Sequence, residues 1–194
     1  MTSRPGWHEY FMALAKLVAS RSTCNSRKTG AVIVRDHQVL STGYNGAMSG
    51  APHCSDCGED YCYYDANEVS SKEKMMWCPA GHAEWNALAN AARQGTSVSG
   101  GAVYTTLEPC PMCIKILARA NILDIYYELP YESQDKRDDL WDRLYSYCGI
   151  KTREQILIGR DFFQEILEYP PSRRRLSQKG PDGHRRRLTQ KSET

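Results

Sequence analysis

The 194-residue chain contains no apolar run that approaches the length of a membrane span. Its first residues, Met1 to Gly6, hold none of the apolar stretch that opens a secretory signal, so a cytoplasmic setting is expected. There is no internal repeat, which excludes solenoid and propeller architectures. Net charge is also scarce, at +2. That small value hides an asymmetry. Residues 172–194 carry eight lysines and arginines against Asp182 and Glu193, which leaves residues 1–171 with more acids than bases. An acidic body offers no broad field for a polyanion, so nucleic acid is not an expected partner. The basic tail, with Arg-Arg-Arg-Leu twice, reads as a solvated, disordered terminus. The expected organisation is a domain over 1–171 and a tail over 172–194. The eight cysteines, in a compartment that keeps thiols reduced, are metal ligands or free thiols.

Against these absences stand two short stretches that must meet in space. One is Cys78-Pro79-Ala80-Gly81-His82-Ala83-Glu84, and the other is Glu108-Pro109-Cys110-Pro111-Met112-Cys113. Together they read H-x-E, then P-C-x-x-C. One imidazole and two thiolates leave a tetrahedral zinc with one open position, which is what separates a catalytic site from a structural one. Water bound there loses a proton near neutral pH. Glu84, two residues from a ligand, can then carry protons to a leaving group. C-x-x-C alone would also fit a redox pair. Here it follows a proline, opens a helix and has H-A-E opening another.

In chain order, Trp7 to Ser20 has helical apolar spacing, with Tyr10, Phe11, Leu14, Leu17 and Val18 on one side. Ala31–Val34 and Val39–Tyr44 read as a hairpin turning at Asp36-His37-Gln38. Residues 46–80 show no period and hold four cysteines, which suggests a long loop pinned by metal or packing. A helix is expected over His82–Gln94, a strand over Ala102–Thr105, a helix from Pro111 to about Ala120 and a strand over Ile122–Tyr127. A helix over Asp138–Cys148, a short strand near Ile150 and a last helix over Asp161–Glu168, stopped by Pro170-Pro171, complete the chain. Strands alternating with helices imply a sheet covered on both faces.

With these segments in view the sequence resembles the cytidine deaminase superfamily and, within it, the deoxycytidylate (dCMP) deaminases of bacteria and phages. The similarity runs from about Trp7 to about Gly149. It is carried by Thr23-Cys24, Thr29-Gly30-Ala31-Val32-Ile33-Val34, Ser41-Thr42-Gly43-Tyr44-Asn45-Gly46, His53-Cys54, His82-Ala83-Glu84-Trp85-Asn86 and Tyr104-Thr105-Thr106-Leu107-Glu108-Pro109-Cys110-Pro111-Met112-Cys113. The signature is that of zinc deaminases acting on nucleobases. The resemblance implies a three-layer α/β/α fold around a five-stranded mixed sheet. It implies a catalytic zinc on His82, Cys110 and Cys113, Glu84 as proton shuttle, and hydrolysis of dCMP at C4 to dUMP and ammonia, feeding dTTP synthesis. It assigns substrate contacts to Arg27 and Lys28 (phosphate), Asn45 (deoxyribose), Ala83, and Tyr131 (base stacking). Relatives are often hexamers with dCTP and dTTP as effectors, so a homo-oligomer is expected.

The remaining cysteines suggest a second, structural zinc, with Cys24, Cys54, Cys57 and Cys78 as candidate ligands. The plain alternative is reduced cysteines in a loop, and Cys148 reads as a core thiol. Trp85 and Asn90 depart from the family's usual aliphatic and apolar choices, which bears on assembly more than on chemistry. Asn86 is either a pocket residue or a member of its own polar network. Three competing readings are kept: a deaminase of dCTP, a deaminase of a base within nucleic acid, and a zinc-stabilised nucleotide-sensing protein without turnover. The last gives Glu84 no task.

Overall fold

The computed structural model describes residues 4–58, 61–68, 73, 77–131 and 138–167. The basic tail and Pro170-Pro171 lie outside them. Helix α1 (Trp7–Ala19) is followed by the hairpin β1 (Gly30–Arg35) and β2 (Gln38–Tyr44). Asp36 and His37 both take positive φ, 50° and 60°, the conformation a two-residue hairpin turn needs to match the strand twist. Four short elements follow: β3 (Gly46–Ala47), α2 (Cys54–Cys57), α3 (Tyr63–Ala66) and β4 (Ala80–Gly81). The remainder is α4 (Ala83–Arg93), β5 (Ala102–Leu107), α5 (Pro111–Arg119), β6 (Asp124–Leu129), α6 (Asp138–Tyr147), β7 (Thr152–Gln155) and α7 (Arg160–Leu167).

The main sheet has five strands in the order β2-β1-β5-β6-β7. β1 is antiparallel to both β2 and β5, whereas β5, β6 and β7 run parallel. The sheet is therefore mixed, as expected. Alternation along the strands sorts the core into two layers. Ala31, Ile33, Val103 and Ile125 face one cluster with Ala83 and Ala87 of α4, Ile114 and Leu117 of α5 and Tyr145 of α6. On the other face α1 packs on β1 and β5, and Phe11 meets the Tyr104 ring at 5.2 Å. Two glycines set the depth of this packing. A Cβ on Gly30 would lie 2.2 Å from the Ala15 carbonyl oxygen of α1. A Cβ on Gly43 would lie 2.2 Å from the Ala87 nitrogen and 2.3 Å from the Ala83 oxygen of α4. Only a bare backbone lets both helices come this close.

Two boundaries differ from the sequence expectation. β6 starts at Asp124 and not at Ile122, because the Ile122 amide closes the turn after α5 onto the Leu117 carbonyl at 2.9 Å. Likewise β7 starts at Thr152, and the Ile150 amide is spent on the Tyr145 carbonyl at 3.1 Å. Both isoleucines are apolar because they pack, not because they pair. The loop over 46–80 is pinned by backbone at its two ends: β3 and β4 pair Gly46 with Gly81 and Ala47 with Ala80. Asn25 adds two donations from its amide, to the Gly58 carbonyl at 2.8 Å and the Tyr61 carbonyl at 2.9 Å.

The chain divides into two compact units at Ile158. The second contributes α7, where Phe162 and Phe163 meet edge to face at 5.8 Å. Among the described residues no helix is long and apolar enough to cross a membrane.

Candidate metal centre and the cleft beside it

Two helix N-termini create the centre. His82 is the N-cap of α4 and Cys110 the N-cap of α5, both in extended backbone, with Pro111 at the first turn of α5. Cys113 lies one turn further on and is fully buried. His82 Nδ1 is 3.3 Å from Cys113 Sγ and 3.5 Å from Cys110 Sγ, and the two sulfurs are 3.5 Å apart. Zinc bonds of about 2.3 Å to sulfur and about 2.0 Å to nitrogen, arranged tetrahedrally, separate ligand atoms by roughly 3.5–3.8 Å. The three edges lie at or slightly below these separations. Among the described residues this is the one group of three or more such donors whose ligand atoms all lie within 4.8 Å of one another.

The electrostatics agree with a cation site. Cys110 is held well below the usual thiol range, first by the hydrogen bond with Cys113 and then by His82. That same bond, with burial, holds the second proton on Cys113 far above the thiol range. The pair thus releases one proton readily and keeps the other until a stronger cation takes its place. Both helix N-termini favour the negative sulfurs as well.

Glu84, in the first turn of α4, is buried, with Oε2 3.5 Å from Cys113 Sγ. Burial raises its carboxyl to about 6, partly offset by the backbone N–H at the helix start and by His82. A carboxyl in that range can both take up and release a proton near neutral pH.

The placement of α4 is set by side chains that the sequence reading left open. Ser41 Oγ donates to the Ala87 carbonyl at 2.7 Å, Asn90 Nδ2 to the Thr42 carbonyl at 2.9 Å, and Asn86 Nδ2 to the Tyr44 carbonyl at 2.8 Å. Asn86 and Asn90 therefore tie α4 to the edge strand β2, and the polar choice at Asn90 is explained by that bond. Trp85 stacks on the His82 imidazole at 5.6 Å, so its bulk serves the ligand's orientation. Ala83 is wholly buried, a member of the core cluster with its carbonyl oxygen against Gly43.

The carboxyl ends of the parallel strands β5 and β6 lead to Cys110 and Tyr131, the side of an α/β sheet where ligands gather. A cleft of about 460 Å³ opens there, lined by Arg27, Lys28, Thr29, Thr106 and Leu129, with Lys16 ion-paired to Glu128 at its wall. That volume suits a small molecule of nucleotide size. Tyr131 stacks on Trp141 at 5.1 Å. Its hydroxyl is raised chiefly by burial and further by Cys110, and lowered by Arg27, so it lies within electrostatic range of a metal donor and of the cationic loop. Asn45, expected at the sugar, also has partners within the protein. Its Oδ1 accepts from Ser22 Oγ and the Thr29 amide, both at 2.7 Å, and its Nδ2 donates to the Arg27 carbonyl at 2.6 Å. In the structure Asn45 braces the loop that carries Arg27 and Lys28.

The second cysteine set is not gathered to ligand distance. Burial pushes the Cys78 thiol up, and Cys24, Cys54 and Cys62 push it further. Cys57 is exposed, and Cys24, Cys54, Cys62 and Cys78 are half-buried. The residue that the sequence reading missed is Glu108. It is buried at 3% exposure and gathers donors from three segments. Its signal was a carboxylate directly before the Pro-Cys of the motif with no role in it.

Comparison with known proteins matches residues 5–129 to the cytidine and deoxycytidylate deaminase zinc-binding region. The chain belongs to this family. It is 40% identical over 131 residues to the deoxycytidylate deaminase of Mycobacterium phage D29, covering 68% of this chain and 99% of the phage protein. It is 34% identical over 144 residues to ComE operon protein 2 of Bacillus subtilis, covering 72% and 68% of the two chains. The crystal structure of a dCMP deaminase from the cyanophage S-TIM5, in complex with dCMP and dUMP, superimposes with a TM-score of 0.61 at 27% identity, covering 79% of this chain and all of that one. Membership of a zinc-binding family agrees with the donor set of His82, Cys110 and Cys113.

Proposed function

We propose that this chain deaminates dCMP hydrolytically to dUMP and ammonia. The observation that carries the reading is the buried Glu84 carboxyl beside a three-donor set of zinc geometry; a nucleotide-sized cleft at the ends of β5 and β6, with Arg27 and Lys28 on its wall, supports it. Zinc held by His82, Cys110 and Cys113 would supply the Lewis acidity that activates water for attack at C4 of the cytosine ring. Glu84 accepts a proton from the attacking water and returns it to the departing amine, so that C4–N breaks as C4–O forms and ammonia leaves. The Tyr131 ring packs against the base. Arg27 and Lys28 bind the 5′-phosphate, a contact that a bare nucleoside would not need. Asn45 holds their loop in place. The deaminase unit is read as residues 1–171, with the tail over 172–194 outside the catalytic machinery.

The reading extends to a second, structural zinc on Cys24, Cys54 and Cys78, with Cys57 as the fourth ligand and Cys62 as its alternative. It also extends to a homo-oligomer, a hexamer, regulated by dCTP and dTTP; that part is supported by family resemblance.

Purified protein mixed with dCMP is expected to lose cytosine absorbance as dUMP forms, with deoxycytidine a much poorer substrate. Turnover of dCTP or of an oligonucleotide without turnover of dCMP would overturn the reading.

A further inference from the structure

Glu108 lies two residues before Cys110, yet its carboxylate turns away from the metal donors. Oε1 accepts from Arg153 Nε at 2.7 Å, from the Tyr145 hydroxyl at 3.0 Å and from Trp141 Nε1 at 3.3 Å. Oε2 accepts from the Tyr131 backbone amide at 3.1 Å. These donors come from the segment after β6, from α6 and from β7. One buried carboxylate therefore joins the ligand-bearing loop to three later parts of the chain. Burying such a charge is costly unless it is paired and its lone pairs are filled. Arg153 supplies the pair, itself oriented by Asp142 at 2.7 Å and by the face of Tyr145, 4.6 Å below its guanidinium.

The consequence falls on Tyr131. Its backbone is held by Glu108 directly. Its ring rests on Trp141 at 5.1 Å, and the Trp141 indole is held by the same carboxylate. Backbone and ring are thus fixed by one group. Tyr131 follows Pro130 just past the end of β6 and is 37% exposed, and among the described residues the hydrogen bond and ring contact that hold it both lead to Glu108. We propose that Glu108, clamped by Arg153, is a positioning residue that fixes the Tyr131 ring next to Pro130 of the cleft wall and so sets affinity for the pyrimidine base. This rests on the reading of the cleft as a dCMP site.

The test combines three measurements on the full chain. Glu108→Gln keeps the side-chain shape but removes the charge and one acceptor. It is expected to retain zinc, to raise KM for dCMP about tenfold, and to change kcat less than about threefold, the pattern of lost binding common to ground and transition states. In a Tyr131→Ala background the same substitution adds less than about twofold, because two residues acting through one contact are not additive. The Tyr131 amide exchanges hydrogen at least about tenfold faster in Glu108→Gln. Arg153→Ala gives the same signature, and Arg153→Lys, which keeps the cation, partly restores KM; this pair decides the matter if Glu108→Gln does not fold. An unchanged KM and amide exchange in these variants overturns the proposal. So does a full effect that persists without Tyr131, or loss of zinc, since either would show that Glu108 serves the ligand loop. If the unsubstituted protein does not turn over dCMP, the functional reading falls by itself, and amide exchange still decides whether Glu108 holds Tyr131.

Discussion

The molecule has two cysteine-bearing regions, and they differ in what holds them. Cys110 and Cys113 start a nine-residue helix whose Ile114 and Leu117 are buried against the sheet, and His82 caps a helix stitched to β2 by three hydrogen bonds. Their ligand atoms come within 4.8 Å of one another. Cys54 and Cys62, by contrast, sit on or beside helices of four residues with no buried side chain among the described ones. Cys78 precedes the short strand β4. A short helix carries mostly unsatisfied ends and contributes little order of its own. The core therefore sets the geometry of the first region before any metal arrives. The second region is held at its ends by β3–β4 pairing, which fixes where it begins and stops but not where each thiol points. Preorganisation of the first kind suits catalysis, where ligand placement must hold through turnover. The second kind suits a metal whose binding energy does the ordering.

The sharpest way to break this contrast is at Glu84. Glu84→Gln is expected to leave metal content unchanged and to lower turnover by about a thousandfold, because the preorganised donors remain and only the proton carrier is lost. Metal analysis beside a rate measurement checks this, and a fully active variant would remove the shuttle role. An intermediate effect is expected at Cys78→Ser. It should lower metal content from two equivalents towards one and reduce the melting temperature by several degrees, while the remaining folded protein still turns over substrate. One equivalent of zinc in the unsubstituted chain would instead end the two-zinc reading. Cys57→Ser and Cys62→Ser identify the fourth ligand: substitution of the ligand should lower metal content and melting temperature as Cys78→Ser does, and the other should change neither. The smallest effect belongs to truncation after Pro171, which is expected to leave the rate on free nucleotide unchanged; a collapse in rate would give the basic tail a role in the site.

Local patterns were readable where one interaction dominates. H-x-E and P-C-x-x-C announce their ligands because metal chemistry restricts both residue type and spacing. The hairpin at Asp36-His37 and the helices capped by His82 and Cys110 follow from turn chemistry and apolar period. Ile122 and Ile150 misled, since an apolar residue that packs in a turn looks the same as one that pairs in a strand. Asn45 reads from its motif as a ligand contact, and the fold adds a bracing role that no motif shows: its amide satisfies backbone groups of the 22–29 loop.

The sequence by itself determined the reaction chemistry and the order of elements, because donor type, spacing, period and turn residues act within a few positions of one another. Only the tertiary structure decided how those parts are made precise. It brought Glu84 into a buried setting that raises its carboxyl to about 6, and it turned Gly43 into the contact that lets α4 approach β2. It also joined Glu108 to Arg153, 45 positions away, and through that pair to Tyr131. Burial and long-range pairing depend on which surfaces meet after the chain has folded, and no local pattern encodes that meeting.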